Sequence, residues 1–268
     1  MKLLGIAAAC ITMAALAFTS CEKTDNTPLV QSIESDDEVA SYFDELLGEM
    51  DELTFQSPNT KSEVEYKAEN SGTRTIVTSF SGDTVIHTIT YAEFVNGNTQ
   101  FERIKNGVMI VKVVGRPLMG TFWRQISFDN FTVNGHTIEG VKEVAKTGEY
   151  QFTITLTGGK ITFTDGIAYT RDFEHIRTWI AGYETPFFIW DDEFAIEGNA
   201  TGVNRQEQNY SRIITSPLIA KRGCRWITSG IIDVEVGDKN ATLDYGDGEC
   251  DRFATITVDG ESWTINLR

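Results

Sequence analysis

Residues 254–265 read ATITVDGESWTI, so apolar and polar side chains alternate on both sides of the dipeptide Asp259-Gly260. Asp-Gly favours a tight hairpin turn because both of its positions can adopt positive φ with little strain. Such a turn places Ile256 opposite Trp263 and gives the hairpin one apolar face. The stretch therefore predicts two antiparallel β-strands.

The same alternation continues over residues 62–268, where Val, Ile, Thr and aromatic residues form short runs. Similar turn dipeptides separate these runs at Asn96-Gly97, Asn106-Gly107, Asn134-Gly135, Gly158-Gly159, Asp165-Gly166 and Asp247-Gly248. A tight turn at Gly158-Gly159 would pair Leu156 with Ile161. We therefore expect an all-β fold of antiparallel meanders, packed like a β-sandwich or, as the alternative, extended as an elongated single-layer sheet.

A short pattern occurs twice within this β region. Residues 126–135 and 189–198 share I-x-x-D-x-F-x-[VI]-x-G at an offset of 63 positions. A repeat of about 60 residues is too long for one hairpin and fits a meander of about four strands. The pattern predicts an internal duplication, with units at about 116–180 and 181–268.

One short helix is predicted ahead of the sheet, over residues 35–53. Ser35 and Glu38 have the spacing of a capping box, with Ser35 as N-cap and the acids Asp36 and Asp37 in the first turn. Apolar side chains then recur at helical spacing, at Val39, Tyr42, Phe43, Leu46, Leu47, Met50 and Leu53. We expect this amphipathic helix to pack on the β region; binding of a partner is the alternative.

The N-terminal sequence has the pattern of a lipoprotein signal peptide. Residues 1–20 carry one Lys and an apolar run too short to span a membrane, and the small residue Ser20 precedes Cys21. This pattern predicts cleavage before Cys21 and lipidation of its thiol; an ordinary secretory signal is the alternative. The polar residues 21–34 would then form a flexible tether. We expect an exported protein, anchored by lipid to the cell envelope at the outer membrane.

Cleavage and lipidation would leave two of the four cysteines, Cys224 and Cys250. In an oxidising compartment such a pair is expected to form a disulfide, which would contribute about 3 to 4 kcal/mol. Two free structural thiols are the alternative.

The net charge and the missing sequence motifs exclude several functions but do not indicate a specific one. The formal net charge of −16 argues against nucleic acid as a partner. Membrane attachment is therefore expected through the lipid on Cys21. The sequence has no P-loop, G-x-S-x-G, H-E-x-x-H or C-x-x-C motif. Its three histidines, His87, His136 and His175, are far apart, and His136 is expected to be exposed beside a turn. The sequence thus indicates no catalytic residue, metal ligand set or cofactor, and a non-catalytic protein is favoured over an enzyme.

The clustered candidate for ligand binding is Trp190-Asp191-Asp192, an aromatic ring beside acids. On a β-strand, Trp190 and Asp192 would share one face. The segment could bind a sugar ring, or its carboxylates could act in a glycan hydrolase. Separately, the acids within residues 244–251 fit either a calcium loop or a tight acidic hairpin.

The C-terminal third carries motifs of a known group. C-R-W at 224–226, D-Y-G-D-G-x-C-D at 244–251 and G-V-N-R at 202–205, together with the export signal, resemble a family of uncharacterised surface lipoproteins of Bacteroides-type bacteria. The resemblance covers mainly residues 187–268 and implies that the first two motifs form a linked pair. It implies no activity and no catalytic residue.

These features together predict a lipid-anchored envelope protein that binds or adheres to a glycan or a surface protein. One alternative is a glycan-acting hydrolase that uses the carboxylates near Trp190 and Asp192. Another is a structural component that assembles through exposed strand edges.

Overall fold

The structure is a computed structural model that describes residues 29–36, 39, 42–43, 62–67, 72–95, 103–117, 119–185 and 188–267. The predicted signal peptide at residues 1–20, the lipidation site Cys21 and the turn at Asn96-Gly97 lie outside the described residues.

The described part of the chain forms fourteen β-strands. They are β1 (Ser62–Lys67), β2 (Thr73–Ser81), β3 (Thr84–Val95), β4 (Ile104–Arg116), β5 (Met119–Val133), β6 (His136–Lys146), β7 (Gln151–Thr162), β8 (Ala168–Ala181), β9 (Glu193–Val203), β10 (Asn209–Lys221), β11 (Ile227–Val236), β12 (Lys239–Asp247), β13 (Phe253–Val258) and β14 (Glu261–Asn266).

All fourteen strands belong to one hydrogen-bonded sheet whose spatial order follows the chain from β1 to β14. Every neighbouring pair is antiparallel. The predicted all-β antiparallel meander is therefore confirmed. The same strand order fits a β-sandwich and a single-layer sheet, so it does not distinguish between these two predictions.

Two of the predicted hairpin turns are confirmed with their register. Ile256 pairs with Trp263 across Asp259-Gly260. Val133 pairs with His136 across Asn134-Gly135. Along most strands buried positions alternate with accessible ones, as in β11, so the sheet has one apolar face.

The predicted turn at Gly158-Gly159 is wrong, because β7 runs through both glycines without reversing. The register of β7 against β8 shifts between Leu156 and Gly159, which is a β-bulge. Asn106-Gly107 likewise lies inside β4 at a register shift rather than in a turn.

Close backbone approach explains why glycine is required at position 159. A Cβ on Gly159 would lie 2.3 Å from the carbonyl oxygen of Arg171 on the adjacent strand. Gly158 has φ +62° and open space around it. A glycine pair can therefore mark either a hairpin turn or a bulge, and the sequence pattern does not distinguish them.

The two copies of the repeated pattern have different local structures. Residues 126–133 lie in β5, and the copy ends in the turn at Gly135. The second copy begins in a turn of 3-10 helix at Ile189–Asp191, and its Gly198 lies inside β9. The shared sequence positions therefore do not coincide with equivalent positions in the meander.

The N-terminal helix, α1, begins earlier than the capping box predicts. Residues 29–36, 39, 42 and 43 are helical, so Leu29, the first described residue, already belongs to α1. Ser35 is therefore not the N-cap, and its hydroxyl donates to the carbonyl of Gln31 one turn earlier. The tether boundary is also wrong for residues 29–34. The polar side chains of Ser32 and Asp36 interrupt the apolar stripe and conceal where the helix starts.

The polar pair Ser32 and Asp36 is buried together with the apolar residues of the same helix face. The buried apolar residues of α1 are Leu29, Ile33, Val39, Tyr42 and Phe43, and they belong to the same core as the sheet residues. The expectation that α1 packs on the β region is thus confirmed for these residues, whereas its predicted end at residues 44–53 lies outside the described part. No helix in the described part of the chain is long and apolar enough to cross a membrane.

Polar and aromatic contacts hold α1 on the sheet at several points. These are Asn204 Nδ2 to Ser32 Oγ (2.9 Å), Lys142 Nζ to the carbonyl oxygen of Phe43 (3.0 Å), and the edge-to-face rings of Tyr42 and His136 with centroids 6.0 Å apart. His136 also packs on Phe163, so the expectation that it is exposed is wrong.

The predicted disulfide is confirmed. Cys224 and Cys250 are bonded with their Cα atoms 5.7 Å apart. The bond joins the loop after β10 to the segment before β13, and it therefore links the C-R-W and D-Y-G-D-G-x-C-D motifs.

Candidate functional site

The segment around Trp190 is not a strand. Ile189–Asp191 forms one turn of 3-10 helix, and β9 starts only at Glu193. The alternation that would place Trp190 and Asp192 on one face is therefore wrong. Trp190 is 66% exposed, whereas Asp192 is only 6% exposed.

The two acids of this segment have structural contacts. Asp191 accepts a hydrogen bond from the hydroxyl of Thr185 at 2.7 Å. Asp192 lies against Gly182, where an added Cβ would be 2.5 Å from Asp192 Oδ1. The main-chain carbonyl of Asp192 accepts from the amide of Arg222 at 2.8 Å. These contacts fix the 3-10 turn beside the loop that follows β10.

The pKa of Asp192 is raised above its ordinary value. Burial is the main cause, and the charge of Asp191 adds to it. The nearby charges of Arg222 and Arg177 act in the opposite direction. The carboxyl of Asp192 therefore interacts electrostatically with cations from two different elements.

A cavity of about 410 Å³ opens beside this segment, on the apolar face of the sheet. Its walls come from β7 to β12 and from the loop after β10, including Arg222 and Cys224. The residue between these two, Gly223, lies next to the main chain of Trp190, since a Cβ on Gly223 would be 3.6 Å from the Trp190 carbonyl oxygen. The main chain of Trp190 therefore lies beside the loop that carries Arg222 and Cys224.

The polar side chains of the cavity wall are strongly cationic. The basic residues of the wall are Arg171, Arg177, Arg212, Lys221, Arg222 and Arg225. Among the described residues that line the cavity none is acidic. This contrasts with the whole chain, in which 39 Asp and Glu outnumber 23 Lys and Arg.

Two of these arginines share the buried carboxylate of Asp36. Arg171 Nη1 donates to Asp36 Oδ1 at 2.8 Å, and Arg212 Nη1 donates to Asp36 Oδ2. The hydroxyl of Tyr169 also donates to Asp36 Oδ1. Burial, followed by the proximity of Tyr210, raises the pKa of Tyr169 well above its ordinary value, so this phenol stays protonated.

Arg212 is the most enclosed cation of the group. Its side chain is 5% exposed, and only Nη1 is engaged by Asp36. Nε and Nη2 are buried as well. Burial lowers the pKa of Arg212, and the nearby Tyr245, which also lines the cavity, raises it.

The outer cations are held in place by neighbours. The guanidinium carbon of Arg177 lies 3.7 Å from the centre of the Phe194 ring. Lys221 Nζ donates to the carbonyl of Gly248 at 3.0 Å. Cys224 itself lines the cavity, so the disulfide to Cys250 fixes the loop that carries Arg222 and Arg225.

The acids of residues 244–251 cap local turns. Asp244 accepts from the amide of Gly246 at 2.9 Å, and Asp251 accepts from the amide of Phe253 at 2.8 Å. Asp247 makes a longer contact of 3.4 Å with the amide of Glu249. Within the described ranges, no group of three or more His, Cys, Asp or Glu is arranged to hold a metal ion.

The sequence patterns predict neither the cavity nor the burial of Asp36. The capping box places Asp36 in the first helical turn as an acid that favours the helix dipole, whereas the structure leaves it only 4% exposed. A signal for the cavity is present in β8, where Tyr169, Arg171, Phe173, His175 and Arg177 occupy alternate positions and therefore one face. Cations placed on the apolar face of a strand require buried counter-charges or a ligand.

No protein-family model matches this chain, and neither a curated protein nor a solved structure is detectably similar to it.

Proposed function

We propose that this chain is an exported lipoprotein, anchored through Cys21 to the outer membrane, whose β domain binds a glycan without cleaving it. The observation that carries the proposal is an exposed indole, Trp190, whose main chain lies beside the loop that lines a concave cavity. Sugar rings present apolar faces that stack on aromatic side chains, and cavities with a few convergent polar groups are the usual ligand sites of proteins.

Further aromatic side chains near Trp190 support a binding surface. Phe188, two residues earlier, is 57% exposed. The rings of Tyr150 and Tyr183 lie 4.5 Å apart, and each of these residues is 36% exposed. Tyr150 also contacts Trp179 edge to face, which connects this aromatic group to β8. Grouped exposed aromatic residues mark interaction sites more often than single ones do.

The arrangement of carboxylates argues against hydrolysis at this site. Glycosidases need two carboxyl groups that flank the scissile bond, one on each side of it. Asp191 is engaged by Thr185, and Asp192 is buried against Gly182. Since no described residue of the cavity wall is acidic, the wall lacks the required pair. We therefore favour binding over turnover.

A glycan array tests this proposal. The full chain, purified in a detergent that contains no sugar, is applied to neutral and acidic polysaccharides, and Trp190→Ala is compared with wild type. We expect the variant to bind the retained glycan about tenfold more weakly, because one stacking surface is lost. Phe253→Ala is the matched control, since Phe253 is also exposed, at 47%, but lies on β13 rather than in the segment before β9.

Two results would overturn the proposal. One is that wild type retains no glycan, or retains it equally well after Trp190→Ala. The other is the appearance of new reducing ends when wild type is incubated with the retained glycan, which would show turnover. Retention of a surface protein in place of any glycan would favour the adhesion alternative.

A further inference from the structure

The two ends of the sheet expose different side chains. In an antiparallel meander the connections alternate between the ends, so those after β5, β7, β9, β11 and β13 lie at one end and those after β2, β6, β8, β10 and β12 at the other. The exposed aromatic residues of the described part of the chain all lie in or beside connections of the second group, at what we call the aromatic end. They are Phe80, Tyr150, Tyr183, Phe188, Trp190 and Phe253.

The first described residues of α1 lie at the opposite end of the sheet. Ser32, about one helical turn after Leu29, accepts a hydrogen bond from Asn204 in the connection after β9. Asp36, on the next turn, pairs with Arg171 near the start of β8, which begins at the same end. We call this end, which carries the connections after β5, β7, β9, β11 and β13, the tether end.

The distance along the chain from Cys21 to α1 limits where a lipid on Cys21 can lie. Cys21 is eight positions before Leu29, and a chain of this length spans at most about 29 Å. Asn204 and Trp190 are separated by the whole of β9, whose 11 residues extend over about 35 Å. Because the reach from Leu29 is shorter than the strand, the lipid stays closer to the tether end than to Trp190.

The side chains of the two ends have opposite preferences for lipid. The turns of the tether end expose acids, namely Asp165, Glu207, Asp238 and Asp259, which anionic headgroups repel, so the acyl chains on Cys21 are the attachment at this end. Exposed aromatic rings favour the membrane interface. The aromatic end is therefore the competing surface for contact with the bilayer, and the short distance from Cys21 to α1 is what decides against it.

We propose that the tether end faces the membrane and that the aromatic end faces away from it, so that a glycan reaches Trp190 from the aqueous side. The inference rests on the lipidation of Cys21 in the proposed function and adds the direction from which the ligand arrives. The partner is accordingly a glycan outside the bilayer rather than a lipid headgroup of the membrane that holds the anchor.

Energy transfer to a labelled bilayer tests this orientation. The lipidated full chain is reconstituted in phosphatidylcholine vesicles that contain a rhodamine-labelled lipid as acceptor. The same donor fluorophore is attached to Gln206→Cys, in the connection after β9, or to Glu184→Cys, in the connection after β8; both positions are exposed. We expect several-fold more transfer from residue 206 than from residue 184, because the two ends of the sheet are about 35 Å apart.

A longer linker tests whether the distance from Cys21 to α1 sets the orientation. Inserting about 20 Gly and Ser residues between Asp25 and Asn26 adds roughly 25 Å of flexible chain. Transfer from residue 206 should then fall and approach that from residue 184. An unchanged difference between the two positions would mean that surface contacts, and not the short linker, orient the sheet, and would overturn the inference.

The outcomes separate this inference from the proposed function. Equal transfer from the two positions would show that the sheet lies flat on the bilayer, and more transfer from residue 184 would place the aromatic end against the lipid. Either result overturns the orientation while the anchor stands. If wild type floats with the vesicles no better than Cys21→Ser does, the anchor itself is wrong and both proposals fail.

Discussion

The carboxylate of Asp36, on α1, accepts a hydrogen bond at 2.8 Å from Arg171, which lies 135 residues further along the chain on β8. Arg212, on β10, donates to the other oxygen of the same carboxylate. One acid from the helix therefore pairs with two cations that the sheet buries on separate strands.

Replacement of Asp36 by Asn is expected to destabilise the protein by about 3 to 5 kcal/mol, because it leaves two buried guanidinium groups without their counter-charge. The measurement is the free energy of unfolding from guanidinium titrations. Glu34→Gln, one half-turn earlier on the same helix and only half-buried, is the control and should change stability by less than about 0.5 kcal/mol. Equal stability of the two variants would contradict the buried pairing.

Loss of the disulfide should lower stability by about 3 to 4 kcal/mol, because the unfolded chain regains the conformational freedom of the loop that it closes. Cys250→Ser, and wild type treated with a reductant, should show the same shift in the guanidinium midpoint. A reductant should not shift the midpoint of Cys250→Ser any further. A wild-type midpoint that is insensitive to reduction would refute a stabilising role for the Cys224–Cys250 bond.

The adjacent glycines of the β7 bulge are expected to differ in their tolerance of a side chain. Gly158→Ala requires only a positive φ and should cost about 1 to 2 kcal/mol. Gly159→Ala places a Cβ within 2.3 Å of the Arg171 carbonyl oxygen, so the two strands must separate locally. The loss of stability should therefore be clearly larger than for Gly158→Ala. Thermal unfolding of the two variants tests this order, and the reverse order would mean that residue 158 is the constrained position.

His87 should make the protein sensitive to mild acid. This side chain is 2% exposed, its Nδ1 lies 3.0 Å from the hydroxyl of Thr78, and burial lowers its pKa. Below the ordinary histidine pKa of about 6.5 the unfolded chain binds a proton that the folded protein does not, so unfolding becomes easier as the pH falls. The free energy of unfolding of wild type should therefore decrease from about pH 6.5 downward. His87→Gln should show a shallower decrease over the same range, and parallel curves would exclude His87 as the cause.

The sequence predicts those parts of the fold whose conformation is determined by residues close together in the chain. The hairpin at Asp259-Gly260 follows from local alternation and from a dipeptide with one favoured conformation, and its register is as expected. The predicted turn at Gly158-Gly159 is wrong because glycine is favoured both in a β-bulge and in a hairpin turn. The contact that requires glycine at position 159 comes from the carbonyl of Arg171, which lies on another strand.

The candidate site was only partly predictable for the same reason. Trp190 is exposed, but the turn of 3-10 helix at Ile189–Asp191, which strand alternation does not predict, is followed by a buried Asp192. The burial of Asp36 does not follow from the sequence, because its counter-charges lie 135 and 176 residues further along the chain. Local patterns contain no information about such distant partners.

Asp36 is synthesised well before the arginines with which it pairs. The ribosome completes α1 before any strand exists, and Arg212 is added 176 residues after Asp36. At elongation rates of about 5 to 20 residues per second, the helix waits roughly 10 to 35 s for this partner. During that interval its apolar stripe, which includes Leu29, Ile33 and Phe43, has only part of the sheet to cover it. Among the described elements, α1 is thus the first to be made and one of the last to have all of its partners.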